Sequence, residues 1–229
     1  MAEERGGMAG VTRKAIAYGY IRRAILDGVY LPGANLVEEA IAEELGTSRT
    51  PVREAIHELG REGLVEMTPH KGARVRVLSS EDLLDIFDIK IRIEGLCAGS
   101  AARRSGQATA AKLFEAAAAM ESAAKANNRK AYLHADEEYH RAIYEGAKSE
   151  RAHHIVEGLN AQWHRMRQGM AAIESRMQTS VVEHRGIALA IESGNGDLAE
   201  RAMREHLEQL RDEIGSLLRE FSLPMDGAQ

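Results

Sequence analysis

Cysteine, proline and aromatic residues are scarce in this chain. A single cysteine, Cys97, among 229 residues excludes an internal disulfide framework and suits a reducing compartment. Aromatic residues make up 4% of the chain and prolines number four, a composition that favours helices over a large β-sandwich or barrel. No apolar run approaches the ~20 residues of a membrane span. The start, Met1-Ala-Glu-Glu-Arg-Gly-Gly, lacks the apolar stretch of a secretory signal. The expected location is the cytoplasm, with no membrane partner. A strong charge of one sign is missing too: residues 1–77 carry 11 Lys/Arg against 11 Asp/Glu, and the net charge of -5 comes from the remainder. Bulk charge therefore announces no nucleic-acid partner, although residues 67–77 hold Lys71, Arg74 and Arg76 with no acid.

The few prolines are unevenly placed. Pro32, Pro51 and Pro69 lie in the first third and only Pro224 lies beyond. This predicts short elements with turns first and long helices afterwards, in two domains. Residues 1–10 read as a mobile tail. Residues 11–27 repeat apolar side chains at helical spacing (Val11, Ala15, Tyr18, Ile21, Ile25), and Gly28 follows as a C-cap. Glu38 to Leu45 forms a short second helix. A third starts after Thr47-Ser48, with Ser48 as its cap and Pro51 in its first turn. Its inner face is Ala55, Ile56 and Leu59, which leaves Arg49, Arg53 and His57 pointing away. Strands follow at Leu64–Met67 and Ala73–Val77, around a tip at residues 68–72. Three helices and a hairpin make a winged helix-turn-helix over residues 11–77. Its third helix enters a DNA major groove and its wing reaches the backbone or minor groove.

Four stretches carry a family likeness: Ala24-Ile-Leu-Asp-Gly28, Leu31-Pro-Gly33, Ser48-Arg-Thr-Pro-Val-Arg-Glu-Ala55 and Glu62-Gly-Leu-Val65. Together they resemble the GntR-family DNA-binding domain. The resemblance implies DNA contacts from Ser48, Arg49, Thr50 and Arg53, and insertion of the His70-Lys71-Gly72 tip at the minor groove. The chemistry agrees, because the planar Arg fork can grip guanine O6/N7, while Lys serves as a point charge near phosphate. The chain departs at Glu39, where the family carries Arg after the Glu that opens the second helix.

After a linker at Leu78-Ser79-Ser80, residues 81–229 read as an all-helical bundle of about six helices: 81–104, 108–126, 129–146, 150–172, 174–193 and 197–221. Asp197 is the expected cap of the last. The first helix is apolar nearly all round, and Cys97 on it reads as an inert small residue. Three later helices place polar groups inside apolar stripes. Asp136 and His140 stand among Leu133, Ile143 and Ala147; His184 among Val181, Ile187 and Ile191; His206 among Met203, Leu207 and Leu210. Burying an unpaired polar group costs roughly 2–7 kcal/mol, so something must satisfy them. Asp136 and His140 are i,i+4 and can reach one ion. Imidazole nitrogens with one carboxylate suit a divalent metal such as Zn, Ni or Mn.

Asp136-x-x-x-His140, Glu183-His184-Arg185 and Met203 to Leu207 resemble the FCD effector domain of FadR-type GntR regulators. The resemblance implies that Asp136, His140, His184 and His206 are the four metal ligands. It also implies a small organic acid effector, for which Lys90 and Arg92 are the binding candidates. Lys90 stands where the family has an Arg, four residues before Glu94, and Ser149-Glu150 replaces the family's Gly-Asn. The overall expectation is a mainly α protein: a ligand-responsive, dimeric regulator, most simply a repressor, bound to a pseudo-palindromic DNA operator. Two alternatives stay open, a metal-dependent enzyme with a His3Asp centre and a regulator whose metal is purely structural. No motif places a general base or nucleophile, so the chain is not read as an enzyme.

Overall fold

The structure is a computed structural model, described over residues 12–68, 72–170 and 174–222, with the side chains of 165–170, 174–175 and 220–222 left aside. The expected tail at 1–10, and His70 and Lys71 of the wing tip, lie outside the described residues. The chain divides into two compact units between Val77 and Leu78.

The first unit carries three helices and a small sheet. Helix α1 (Arg13–Leu26) begins where the Thr12 side chain accepts the Ala15 N–H at 3.1 Å, and Gly28 ends the run at φ +76°. Its buried face is Ala17, Ile21, Ala24 and Ile25. That differs from the expected stripe, because Ala15 is exposed and Tyr18 keeps its hydroxyl on Glu62 at 2.8 Å. Strand β1 (Asn35–Leu36) follows, then α2 (Glu38–Glu44) and α3 (Arg49–Arg61). Ser48 occupies the cap position of α3, but its side chain makes no cap hydrogen bond. Val52, Ala55, Ile56 and Leu59 bury the inner face of α3. Strands β2 (Val65–Thr68) and β3 (Gly72–Val75) form the hairpin, and the antiparallel sheet runs β1-β3-β2. Gly72 opens β3 at φ +82°, a conformation that other residues adopt only with strain. The two-residue strand β1 is too short for its alternation to show in the sequence.

The second unit is built around one long helix. Helix α4 (Ser80–Lys125) starts from a capping box in which Ser79 Oγ accepts the Asp82 N–H and Asp82 accepts the Ser79 N–H. The residues expected as a linker are thus already part of the unit: Leu78 packs against the Leu83, Phe87 and Trp163 cluster, Ser79 caps and Ser80 begins the helix. The two helices expected at 81–104 and 108–126 are one element with a kink. Ser105 leaves helical geometry (φ -151°, ψ 30°), and its hydroxyl donates to the Gly146 carbonyl at 3.0 Å. A Cβ at Gly146 would collide with the Thr109 side chain, so that glycine lets the two helices meet at the kink. Helices α5 (Arg129–Ala147), α6 (Glu150–Met170), α7 (Glu174–Glu192) and α8 (Gly196–Ser222) pack around α4. The cap of α8 is Asn195, whose side chain accepts the Leu198 N–H at 3.1 Å, and not Asp197. The main core gathers Leu113, Met120, Tyr139, Ile143, Met177, Ile187, Ile191 and Met203. Cys97 lies inside it, 1% exposed, and burial pushes its thiol up to about 11.

Candidate nucleic-acid interface and metal centre

Helix α3 presents Ser48, Arg49, Thr50 and Arg53 to solvent. Its two arginines lie one turn apart and share one acid, Glu38, the first residue of α2. Arg53 holds Glu38 through Nε (3.0 Å to Oε1) and Nη2 (2.8 Å to Oε2), while Arg49 Nη2 reaches Oε2 at 3.4 Å. Hydrogen bonding from Arg53 holds the Glu38 carboxyl below its ordinary value. Across the hairpin, Arg74 pairs with Glu66 at 3.1 Å.

In the second unit, three helices bring polar side chains to one interior point. Asp136 and His140 come from α5, His184 from α7 and His206 from α8. One ring nitrogen of each histidine lies within 4.8 Å of the other two. His140 Nε2 and His184 Nε2 are 3.4 Å apart. Asp136 Oδ1 borders this trio, 3.2 Å from His184 Nε2 and 3.9 Å from His140 Nε2. His184 and His206 are 0% and 4% exposed, so water does not solvate them.

The outer nitrogens of the same rings are occupied. His184 Nδ1 lies 2.7 Å from the Ser180 carbonyl, which can only accept, so this nitrogen carries the proton. His206 Nδ1 lies 2.6 Å from Glu183 Oε2. His140 Nδ1 lies 2.7 Å from Glu94 Oε2, in contact but not aligned as a hydrogen bond. For His184 and His206 the outer partner is a hydrogen-bonded oxygen acceptor, which places the proton on Nδ1 and leaves the Nε2 lone pair free. Burial, with His184 next, pulls His206 down to about 4 against the pull of Glu183, so the ring is neutral at pH 7. Burial works to raise Glu183, but hydrogen bonds from His206 and Arg176 outweigh it and bring the carboxyl to about 2. Arg176 grips Glu183 at 3.0 and 3.2 Å and reaches Glu213 at 3.1 Å.

Glu94 and Lys90 extend the network along α4. Glu94 is fully buried. Burial alone would raise its carboxyl, but Lys90 and His140 hold it well below the carboxylate range. Lys90 Nζ contacts Glu94 Oε1 and Asn160 Oδ1, both at 2.5 Å, and stands 5.8 Å from the Trp163 ring centre. Beside this pair, the Tyr144 hydroxyl is buried without a hydrogen bond. The structure therefore brings Asp136, His140, His184 and His206 together with Lys90 one shell behind. It leaves Arg92 exposed on α4, away from them. Sequence reasoning gave Glu94, Ser180 and Glu183 no role. An acid four residues after Lys90 on an otherwise apolar helix was the signal that could have found Glu94.

Residues 14–75 match the family described as "Bacterial regulatory proteins, gntR family", and residues 85–209 match the FCD domain. A relative from Paenarthrobacter nicotinovorans, named "probable D-xylose utilization operon transcriptional repressor", is 32% identical over 188 residues, 82% of each chain. The transcriptional repressor RspR of Escherichia coli K12 is 26% identical over 205 residues, 90% of each chain. The solved structure of E. coli McbR/YncC shares the fold, with a TM-score of 0.74 at 18% identity over 91% of this chain and 99% of that one. The chain belongs to the gntR family and carries an FCD domain after its helix-turn-helix unit. It is a DNA-binding transcriptional regulator. No described helix is long and apolar enough to cross a membrane.

Proposed function

We propose that this regulator acts in the cytoplasm as a homodimeric repressor that senses a small organic acid through a divalent cation held by Asp136, His140, His184 and His206. One observation carries the reading. Three clustered imidazoles, two of them buried with their Nδ1 protons committed outward to Ser180 and Glu183, turn ring nitrogens towards one another beside a carboxylate. Such a set is mutually repulsive, and a divalent cation turns the repulsion into coordination. Zn, Ni and Mn all suit imidazole and carboxylate donors. Glu94, Ser180 and Glu183 orient the rings from outside. When bound, the ion supplies a Lewis-acidic anchor for a carboxylate ligand. Two of the relatives are named repressors, which supports the direction of control.

DNA reading falls to Ser48, Arg49, Thr50 and Arg53 on α3, with the tip at His70, Lys71 and Gly72 beside the minor groove. Two such helices in a dimer meet half-sites about 34 Å apart. The sensing unit takes up the chain from residue 78 onward, and the reading unit residues 11–77.

Elemental analysis of purified protein tests the metal site. Wild type carries about one ion per chain and His184→Ala carries none; stoichiometric metal in the variant overturns the four-ligand reading. Gel-shift titration at matched salt tests the DNA reading. Arg53→Ala loses specific operator binding, and unchanged affinity refutes the assignment.

A second reading, in which the ion is structural and no effector binds, is favoured by the state of Lys90. Its ammonium is already committed to Glu94 and Asn160, and Arg92 points elsewhere. Thermal-shift screening of carboxylates with and without a chelator separates the two. A metal-dependent shift with one acid supports sensing, and its absence across the set supports the structural ion.

A further inference from the structure

The two α3 arginines are not free in the absence of DNA. Arg53 gives its Nε–Nη2 edge to Glu38 in a two-bonded fork, and Arg49 touches the same carboxylate. The arginine side chains are 53% and 57% exposed, whereas Glu38 is 20% exposed. The acid therefore lies behind the guanidinium groups. Glu38 is also the first residue of α2, where the helix dipole favours a negative charge and steadies the carboxylate. A guanidinium has five N–H donors. With one from Nε and one from Nη2 committed, the Nη1–Nη2 edge remains, and its two parallel N–H groups match guanine O6 and N7.

We propose that Glu38 is a positioning residue that sets the sequence selectivity of this regulator, by holding Arg53 with its free edge outward for guanine. The inference rests on the DNA-reading role of Arg53 proposed above. Glu38 acts in two ways at once. It fixes the plane and direction of the Arg53 fork before DNA arrives, so less freedom is lost on forming a two-bonded contact with a base. It also offsets part of the positive charge of Arg49 and Arg53, which weakens attraction to phosphates of any sequence. The position next to it, Glu39, is exposed and adds a second acid where a base would strengthen phosphate binding. The first turn of α2 thus works against indiscriminate DNA binding, and discrimination is left to the buttressed arginine.

The test uses full-length protein and an operator duplex obtained by selecting wild-type protein against a random-sequence library. Fluorescence anisotropy gives affinity for that duplex and for a scrambled one at several salt concentrations. Glu38→Gln keeps the size of the side chain and removes its charge. The expected result is tighter binding to scrambled DNA with a steeper salt dependence, and a fall of about tenfold or more in the operator-to-scrambled ratio. Selection repeated with the variant should show one guanine position becoming degenerate. In the Arg53→Ala background, Glu38→Gln should leave the ratio unchanged, because the acid acts through that arginine.

An unchanged ratio for Glu38→Gln, while Arg53→Ala abolishes operator preference, overturns the inference and leaves the DNA reading standing. A loss of affinity for both duplexes in parallel, with a lowered unfolding midpoint, also overturns it and assigns Glu38 to folding. If Arg53→Ala keeps operator preference, the failure belongs to the DNA reading itself.

Discussion

Both units of this protein hold charged groups together across helices, yet they do so in opposite settings. In the helix-turn-helix unit, Arg49, Arg53 and Glu38 meet at the surface, where water screens each charge and the guanidinium groups keep outer edges exposed. In the FCD unit, Lys90, Glu94, His140, His184 and His206 meet inside, where water screens the charges least and neighbours set most of the proton positions. The surface arrangement is weak in energy and leaves edges free for a partner molecule. The interior arrangement is strong pair by pair, and removing one member strands another in a medium that cannot solvate it.

Breaking the interior set should have the largest effect. Glu94→Ala leaves the Lys90 ammonium buried without its carboxylate, and should lower the stability of the second unit by about 3–5 kcal/mol in urea unfolding followed by helical circular dichroism. A loss below about 1 kcal/mol would mean that the pair is solvated in solution.

Acid should separate the two units next. The folded-state value of His206, about 4, lies below its ordinary 6.5, so the protonated form favours the unfolded chain. In metal-free protein this contributes stability that is full above pH 6.5 and declines as pH falls towards 4, by about 3 kcal/mol in total. Glu183 at about 2, below its ordinary 4.5, adds a further decline as pH falls from 4.5 towards 2. Thermal unfolding of chelator-treated protein between pH 7.5 and 4 should show this loss in the FCD unit. A flat profile would argue against a buried neutral His206.

Smaller effects are expected at the boundary and at the surface. Ser79→Ala removes half of the capping box that starts α4 and should cost about 1 kcal/mol by urea denaturation. Arg74→Ala breaks a half-exposed pair with Glu66 and should change stability by less than about 1 kcal/mol. Were these two to exceed Glu94→Ala, the contrast between surface and interior would be reversed.

Much of the architecture was legible because its punctuation is local. Asn128, Ser149 and Gly194-Asn195 mark the helix breaks, and the expected bounds of α5, α7 and α8 stand within a residue or so of the observed ones. The four ligand candidates were legible as polar residues in apolar stripes. The kink was read as a gap because a helix bent at Ser105 and two separate helices leave the same trace in periodicity. Arg92 was misplaced for a geometric reason: two positions along a helix is a rotation of about 200°, so it cannot share a face with Lys90. The oxygens that orient the histidines escaped notice for another reason. Ser180 acts through its backbone carbonyl, which no side-chain pattern encodes, and Glu94 meets His140 across 46 residues of sequence. Glu38 was equally hidden, since its bond to Arg53 spans 15 residues with no motif linking them.

The stretch of chain that joins the two units is short. Arg76 is still bonded to Leu64 through its backbone N–H, and Leu78 already packs against the cluster that holds Leu83, Phe87 and Trp163, so Val77 alone lies between those two contacts. A slack tether would dissipate a movement of α4 into random chain motion. With one residue between those two contacts, little slack of that kind is available here.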